Sequence, residues 1–407
     1  MKSVDAHLDD CLEGVEPLEP IDLQLLDAHG CILAEEVVAS APIPGFDNAS
    51  HDGYAVRAAD VESATSDAPV DLPVMGDIPA GRPATVALQP GTTMRIMTGA
   101  PVPEGADAVV PVEWTDSGIA NVKITQPPAL GAHIRRIGSD VTKGQQVLAA
   151  GTRLGPAQIG LLAAVGRDRV VARPKPRVVV LSTGSELVDP GLPLQPGQIS
   201  ESNSFALTAA AREAGALAYR VGIVLDDPRK LIDTLEDQLI RADLIVTTGG
   251  VSAGAYDVVK EVLSRLGTVT FEKVAMQPGM PQGRGSIGPD AIPIFTLPGN
   301  PVSAYVSFEV FVRPVIRRML GVEPLLRPTV RAVCTAELTS PAQKRQFARG
   351  WLSVEEGRYV VRPIGAQGSH LVNDLAHANC LIVVPEDVTD VPAGSSVTVM
   401  VLERRLS

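Results

Sequence analysis

Asp243 to Asp257 reads DLIVTTGGVSAGAYD, and the rest of the chain is organised around it. Leu244-Ile245-Val246 is a short apolar run rich in β-branched residues, the mark of a strand buried on both faces. Thr247-Thr248 and Gly249-Gly250 follow at once. A small-residue loop then ends on Asp257, and Val258, Val259, Val262, Leu263 and Leu266 follow with helical spacing. Strand, glycine turn and helix place backbone N–H groups and a helix N-terminus at the end of a sheet, where an anion can sit. An upstream unit repeats the arrangement: a strand from Arg177 to Leu181, the polar turn Ser182-Thr183-Gly184-Ser185-Glu186, and a helix from about Asn203 to Ala214. A third turn, Leu297-Pro298-Gly299-Asn300-Pro301-Val302-Ser303, closes a strand from Ile292 to Leu297 and opens another helix. One glycine after a buried strand commonly serves the turn and nothing else. Three such loops, rich in hydroxyls and carboxylates and leaving one parallel sheet, converge on one crevice.

The 407 residues predict more than one domain. With 45% hydrophobic and 20% charged residues the chain reads as globular. Its net charge of −12 and its 3% aromatic content argue against nucleic-acid binding, which needs Lys and Arg on phosphates and rings for stacked bases. The four cysteines, Cys11, Cys31, Cys334 and Cys380, are scattered without CxxC spacing, which favours a reducing, cytoplasmic compartment over a disulfide framework or a zinc site. The six histidines show no HExxH spacing. MKSVDAHLDDCLEG is too acidic for a signal peptide, and no apolar run has the length of a membrane span, so no membrane insertion is expected.

Residues 1 to about 40 read as helix, extended segment, helix, with one apolar stripe on Leu8, Cys11, Leu12 and Val15 and another from Leu33 to Val38. APIPGFDNASHDGYAV, residues 41–56, is too rich in Pro and Gly for regular helix. Short β runs follow, among them Ala106 to Val112 and Val122 to Ile124, and Arg95-Ile96-Met97-Thr98 enters a Gly-Pro loop. Helix returns from Gly151 to Ala172, and Arg173-Pro174-Lys175-Pro176 is a stiff linker. The predicted organisation is α/β and multidomain. A helical and extended domain (1–45 and 145–176) carries an inserted β-rich domain (46–144). An α/β domain (177–324) and a small C-terminal β-barrel (325–407) follow. The first domain is too small to bury both stripes, so a homodimer is expected.

PGFDNASHDGYAV, RIMTGAPVPEGADAVV, LSTGSEL, Asp226-Asp227-Pro228, TTGGVSAGAYD, LPGNPVS and AQGSH, in this order, resemble the MoeA family, the molybdopterin molybdenumtransferases, which includes the E domain of gephyrin. The resemblance implies an elongated homodimer whose α/β domain has a molybdopterin-binding-like fold. It implies insertion of molybdate into adenylylated molybdopterin with Mg²⁺ and release of AMP. Carried over by motif, the site residues are Asp52, Thr98, Glu186, Asp226, Asp257, Pro298, Pro301, Arg349 and Ser369, with Asp52 and Thr98 reaching the site of the partner subunit. Thr183, Gly184, Gly249, Gly250, Ser252 and Asn300 belong to the loops expected to hold substrate, the first four by offering backbone N–H donors to phosphate. Asp226 and Asp257 are the expected Mg²⁺ ligands, since Mg²⁺ seeks carboxylate oxygens.

The chain departs from the family in a stretch similar to KxxxKPGKP. Lys273 remains, but Gln277 and Met280 stand where two lysines are usual, and Ser185 replaces the acidic residue before Glu186. Glutamine still donates hydrogen bonds; methionine neither donates nor carries charge. Arg284 is the candidate to return one positive charge. The lost cations predict weak molybdate binding. They also leave open a second reading: a gephyrin-like dimeric scaffold with little insertase activity that binds a peptide from a membrane receptor or cytoskeletal protein.

Overall fold

The computed structural model describes residues 1–250, 258–266 and 268–402, and the chain divides into two compact units. One takes Asp22–His29 and Leu33–Val171; the other takes Met1–Ile21, Gly30–Ile32 and the described residues from Ala172 onward. No helix among the described residues is long and apolar enough to cross a membrane.

The chain opens with α1 (Val4–Leu12), whose first turn is capped by the Ser3 hydroxyl accepting from the Ala6 N–H. Val4, Cys11 and Val15 are buried in one cluster with Leu207, Phe311 and Ile316. The stripe expected to need a second subunit is therefore covered within its own unit.

The unit of residues 22–29 and 33–171 is built on a five-stranded sheet. Its strands are β1 (Gly53–Val56), β2 (Val70–Ile78), β3 (Thr93–Ile96), β4 (Ala108–Pro111) and β5 (Asn121–Ile124), in the order β4-β1-β3-β2-β5. Alternation along β1 sends Tyr54 and Val56 into one apolar cluster and Ala55 into another, so both faces are covered. The helix expected over Leu33 to Val38 is not formed. Ile32–Leu33 and Val37–Val38 are short strands, the second paired with Gln146–Leu148. Val37 is buried and Val38 exposed, the alternation of a strand, and β-branched valines lose side-chain freedom in a helix. The helix expected from Gly151 to Ala172 is also shorter. α2 spans Pro156–Ala164, Gly166 follows at φ +82°, and Arg169–Arg173 is a strand.

The other unit holds a six-stranded sheet. Its strands are β6 (Arg177–Thr183), β7 (Leu217–Val224), β8 (Leu244–Thr248), β9 (Thr270–Lys273), β11 (Pro281–Ile287) and β12 (Ile292–Leu297); the two-residue β10 (Met276–Gln277) pairs elsewhere. The order is β7-β6-β8-β12-β11-β9, with the first four strands parallel and the last two antiparallel to their neighbours. Its helices are α3 (Asn203–Ala214), α4 (Pro228–Leu239), α5 (Val258–Leu266) and α6 (Pro301–Ser307), which runs through a π-helical turn at Phe308–Val312 into α7 (Arg313–Leu320). Val178, Val180, Leu244 and Val246 bury against α3, α6 and α7; Val179, Leu181 and Ile245 bury against α4 and α5. β6 thus feeds a helix on one face and its neighbour β8 a helix on the other. Between them lies the switch point at which an open α/β sheet forms a crevice.

After Arg327, strands β13 (Thr329–Cys334), β14 (Arg345–Glu355), β15 (Arg358–Pro363), β16 (Cys380–Val384) and β17 (Ser396–Val401) pair in the ring β14-β15-β13-β17-β16-β14. This is the barrel expected at the C-terminus, and β10 adds to β14 beside it. A short helix, α8 (Val372–Ala376), precedes β16.

Candidate functional site

The loops leaving β6, β8 and β12 wall a cavity of about 710 Å³. Because these three strands are adjacent, their ends stand side by side. Gly249 makes the close approach possible. It has φ +98°, and a Cβ there would lie 2.4 Å from the Thr183 carbonyl oxygen. Thr183 Oγ1 donates to the Thr248 carbonyl at 3.4 Å, and Thr248 Oγ1 donates to the Pro298 carbonyl at 2.9 Å. The three loops are therefore joined to one another and not merely neighbours.

Of the residues expected from the sequence, Thr183, Gly184, Glu186, Asp226, Gly249, Gly250, Pro298, Asn300 and Pro301 line this cavity. Asp226 is exposed, and its Oδ2 accepts from Ser185 N at 3.1 Å and Ser185 Oγ at 3.2 Å. The serine that replaces an acidic residue thus orients a carboxylate instead of adding one. The Glu186 carboxylate folds over Gly184, its oxygens 2.6 and 2.9 Å from where a Cβ on that glycine would stand.

The amide cradle expected from these loops is largely engaged elsewhere. Gly184 N–H donates to Val224 O, Ser185 N–H to Asp226 and Gly249 N–H to Leu297 O, since buried backbone donors find partners. Among the described lining residues there is no Lys or Arg, while Glu186, Glu201 and Asp226 bring three carboxylates. An anion entering here meets repulsion unless a cation enters with it.

Ser369 stands beside the cavity, its Oγ accepting from Asn300 Nδ2 at 3.0 Å and its carbonyl accepting from Val302 N–H at 3.1 Å. Arg349 is 1% exposed and does not line the cavity. Its guanidinium donates to the carbonyls of Gly368, at 3.0 Å, and Ala366, holding the loop that presents Ser369. Burial pulls its pKa down, and its Nε has no hydrogen-bond partner among the described residues. Lys273 is exposed at the end of β9 and does not line the cavity either. Arg284 does not return the missing charge, because its guanidinium is held by Asp10 at 2.6 Å. Ser252 and Asp257 lie outside the described residues.

Asp52 and Thr98 belong to the other unit, where they form a tight pair. Asp52 Oδ1 accepts from Thr98 N at 2.6 Å and Thr98 Oγ1 at 2.9 Å. These two bonds hold the Asp52 carboxyl below its ordinary pKa.

Sequence reasoning missed Glu201, Asn203 and His370, which also line the cavity. Ile199-Ser200-Glu201-Ser202-Asn203-Ser204 carried a signal: a run of capping residues immediately before a helix.

Residues 2–166 match the family description "MoeA N-terminal region (domain I and II)", residues 179–318 "Probable molybdopterin binding domain" and residues 331–402 "MoeA C-terminal region (domain IV)". A Mycobacterium tuberculosis protein named molybdopterin molybdenumtransferase 2 is 50% identical over 405 residues, covering 98% of this chain and 99% of the relative. A Haemophilus influenzae molybdopterin molybdenumtransferase is 36% identical over 386 residues, covering 94% of both. A crystal structure of a molybdopterin biosynthesis MoeA protein from Pyrococcus horikoshii aligns with a TM-score of 0.76 at 32% identity, covering 98% of this chain and 99% of that one.

Proposed function

The chain belongs to the MoeA family, and on that footing we propose that it inserts molybdenum into adenylylated molybdopterin, releasing AMP, at the cavity between the β6, β8 and β12 loops. The observation that carries this reading is positional: all three loops fall within the stretch matched as a molybdopterin-binding domain, and together they wall one cavity. Relatives at 36–50% identity are named as transferases, so the peptide-binding scaffold is not favoured.

The cavity wall suits Mg²⁺. Asp226 and Glu186 offer exposed carboxylate oxygens, the hard donors this ion takes together with substrate phosphate, and the sequence pattern adds Asp257. When bound, Mg²⁺ neutralises phosphate charge and polarises the anhydride. The protein's own part is placement. Ser185 fixes the rotation of Asp226, and Asn300 with Ser369 fixes the mouth of the β12 loop. Arg349 acts through the loop it holds.

The working form is a homodimer in the cytoplasm, in which the Asp52–Thr98 pair completes the site of the partner subunit. The exposed Asp52 carboxylate is oriented without any charged partner among the described residues, as a group reserved for another surface would be. α2 supports the dimer: its sequence PAQIGLLAA carries no charge, and Ala157, Gly160, Ala163 and Ala164 are exposed. Four buried free cysteines accord with a reducing compartment.

Asp226→Asn tests the site assignment. It keeps the shape, removes one anionic Mg²⁺ ligand, and should lower AMP release by about a hundredfold or more, as loss of a transition-state interaction does. Undiminished AMP release in that variant overturns the assignment.

A further inference from the structure

We propose that the N-terminus of α3 sets the register of the three cavity loops, with Asn203 as the positioning residue for the reaction. This rests on reading the cavity as the insertase site. Pairing in the sheet fixes each strand only as far as its last residue; the loops beyond need their own restraint. Gly299 lies two residues past the end of β12.

Asn203, the first residue of α3, reaches both loops. Its Nδ2 donates to Thr248 Oγ1 at 3.0 Å and to the Gly299 carbonyl at 2.7 Å. The amide can sit only this way round. The Gly299 carbonyl is an acceptor, and Thr248 Oγ1 has already given its hydrogen to the Pro298 carbonyl, so both neighbours require a donor. Two hydrogens on one nitrogen thereby fix the distance between the end of β8 and the turn after β12.

The helix end that carries Asn203 is itself pinned to β6. Glu201, 2% exposed, accepts from Ser182 Oγ at 2.7 Å, from Ser204 N at 2.7 Å and from Ser204 Oγ at 2.5 Å. Arg220 donates to Ser204 Oγ at 2.8 Å, stands 3.7 Å from Glu201 and lies over the Phe205 ring at 4.1 Å. Ser182 precedes Thr183 at the end of β6. One short polar run, Glu201 to Ser204, thus ties β6 through a carboxylate and β8 and β12 through an amide.

A positioning role predicts a loss of rate without a matching loss of binding. With the full-length protein, adenylylated molybdopterin, Mg²⁺ and saturating molybdate, isosteric Asn203→Asp should lower kcat for AMP release about ten- to a hundredfold, the effect of a displacement near 1 Å. KM for adenylylated molybdopterin should stay within about threefold in the neutral variants Asn203→Ala and Asn203→Ser, whereas Asn203→Asp should also raise it by adding a carboxylate to the cavity wall. Asn203→Ser, which keeps one donor, should fall between Asn203→Ala and wild type, and supplies the test should Asn203→Asp fail to fold. In a Thr248→Val background, Asn203→Ala should cost less than it does alone, because one of its two bonds has already gone and only the bond to Gly299 is left to lose. Unchanged kcat in Asn203→Asp and Asn203→Ala, or a rise in KM with kcat intact, overturns the positioning role while leaving the site reading standing. No turnover by the wild type overturns the site reading and this proposal with it.

Discussion

Gly249→Ala is the sharpest mechanical test of the cavity. The added Cβ would lie 2.4 Å from the Thr183 carbonyl oxygen and 2.8 Å from Thr183 Oγ1. Ordinary contact begins at 3.4 Å, so the ends of β6 and β8 must part by about 1 Å. The obstacle is backbone in the last residue of a buried strand, which cannot swing away as a side-chain tip would. The glycine also sits at φ +98°, where an L-residue costs roughly 1–2 kcal/mol. Stability should therefore fall by about 2–4 kcal/mol once the steric part is added. Turnover of the folded fraction should fall about a hundredfold, because the loops that orient substrate have separated. Gly357→Ala is the control. That glycine sits at φ +77° with nothing within 4 Å, so it carries the conformational cost alone and should leave turnover unchanged. Denaturant unfolding and steady-state AMP release report the two effects separately. Gly249→Ala with wild-type turnover would refute the claim that loop spacing governs the chemistry.

Other expectations follow from the same structure. His7 is 1% exposed, and burial first, then the charges of Arg284 and Lys2, push its pKa down to about 4. The unfolded chain binds the proton at higher pH than the folded one, so stability should fall as pH drops from about 6.5 towards 4, by roughly 3 kcal/mol. His7→Phe, which preserves the edge contact with Phe311 at 4.6 Å, should flatten that slope in denaturant titrations run at several pH values. Gln277 and Met280 stand where the family pattern has two lysines and Arg284 is held by Asp10, so Gln277→Lys with Met280→Lys should lower the half-saturating molybdate about tenfold or more. Saturation of the unaltered protein at micromolar molybdate would count against that reasoning.

Much of the site was legible because it rests on local chemistry. A buried run ending in Thr-Thr-Gly-Gly or Leu-Pro-Gly-Asn marks a strand end whatever surrounds it, and the bounds of α3 and β12 follow from capping and periodicity. What escaped depends on contacts distant in sequence. Leu33 to Val38 has helical formers, yet Val37–Val38 pairs with Gln146–Leu148, and that pairing makes its end a strand. Arg349 and Gly350 break the apolar pattern of the sequence that forms the continuous eleven-residue β14, and only the closed barrel makes it a strand. Arg284 reads as a spare cation until Asp10, far away in the chain, is seen to hold it. Glu201 and Asn203 look like ordinary capping residues; their reach to Ser182, Thr248 and Gly299 requires the sheet order.

The most direct test of the central claim counts products. The purified protein is incubated with adenylylated molybdopterin, Mg²⁺ and elevated molybdate, and AMP and active molybdenum cofactor are measured together. Equal amounts of AMP and cofactor, both lost in Asp226→Asn, are the predicted result. Neither product above the protein-free blank at any molybdate concentration would contradict the account.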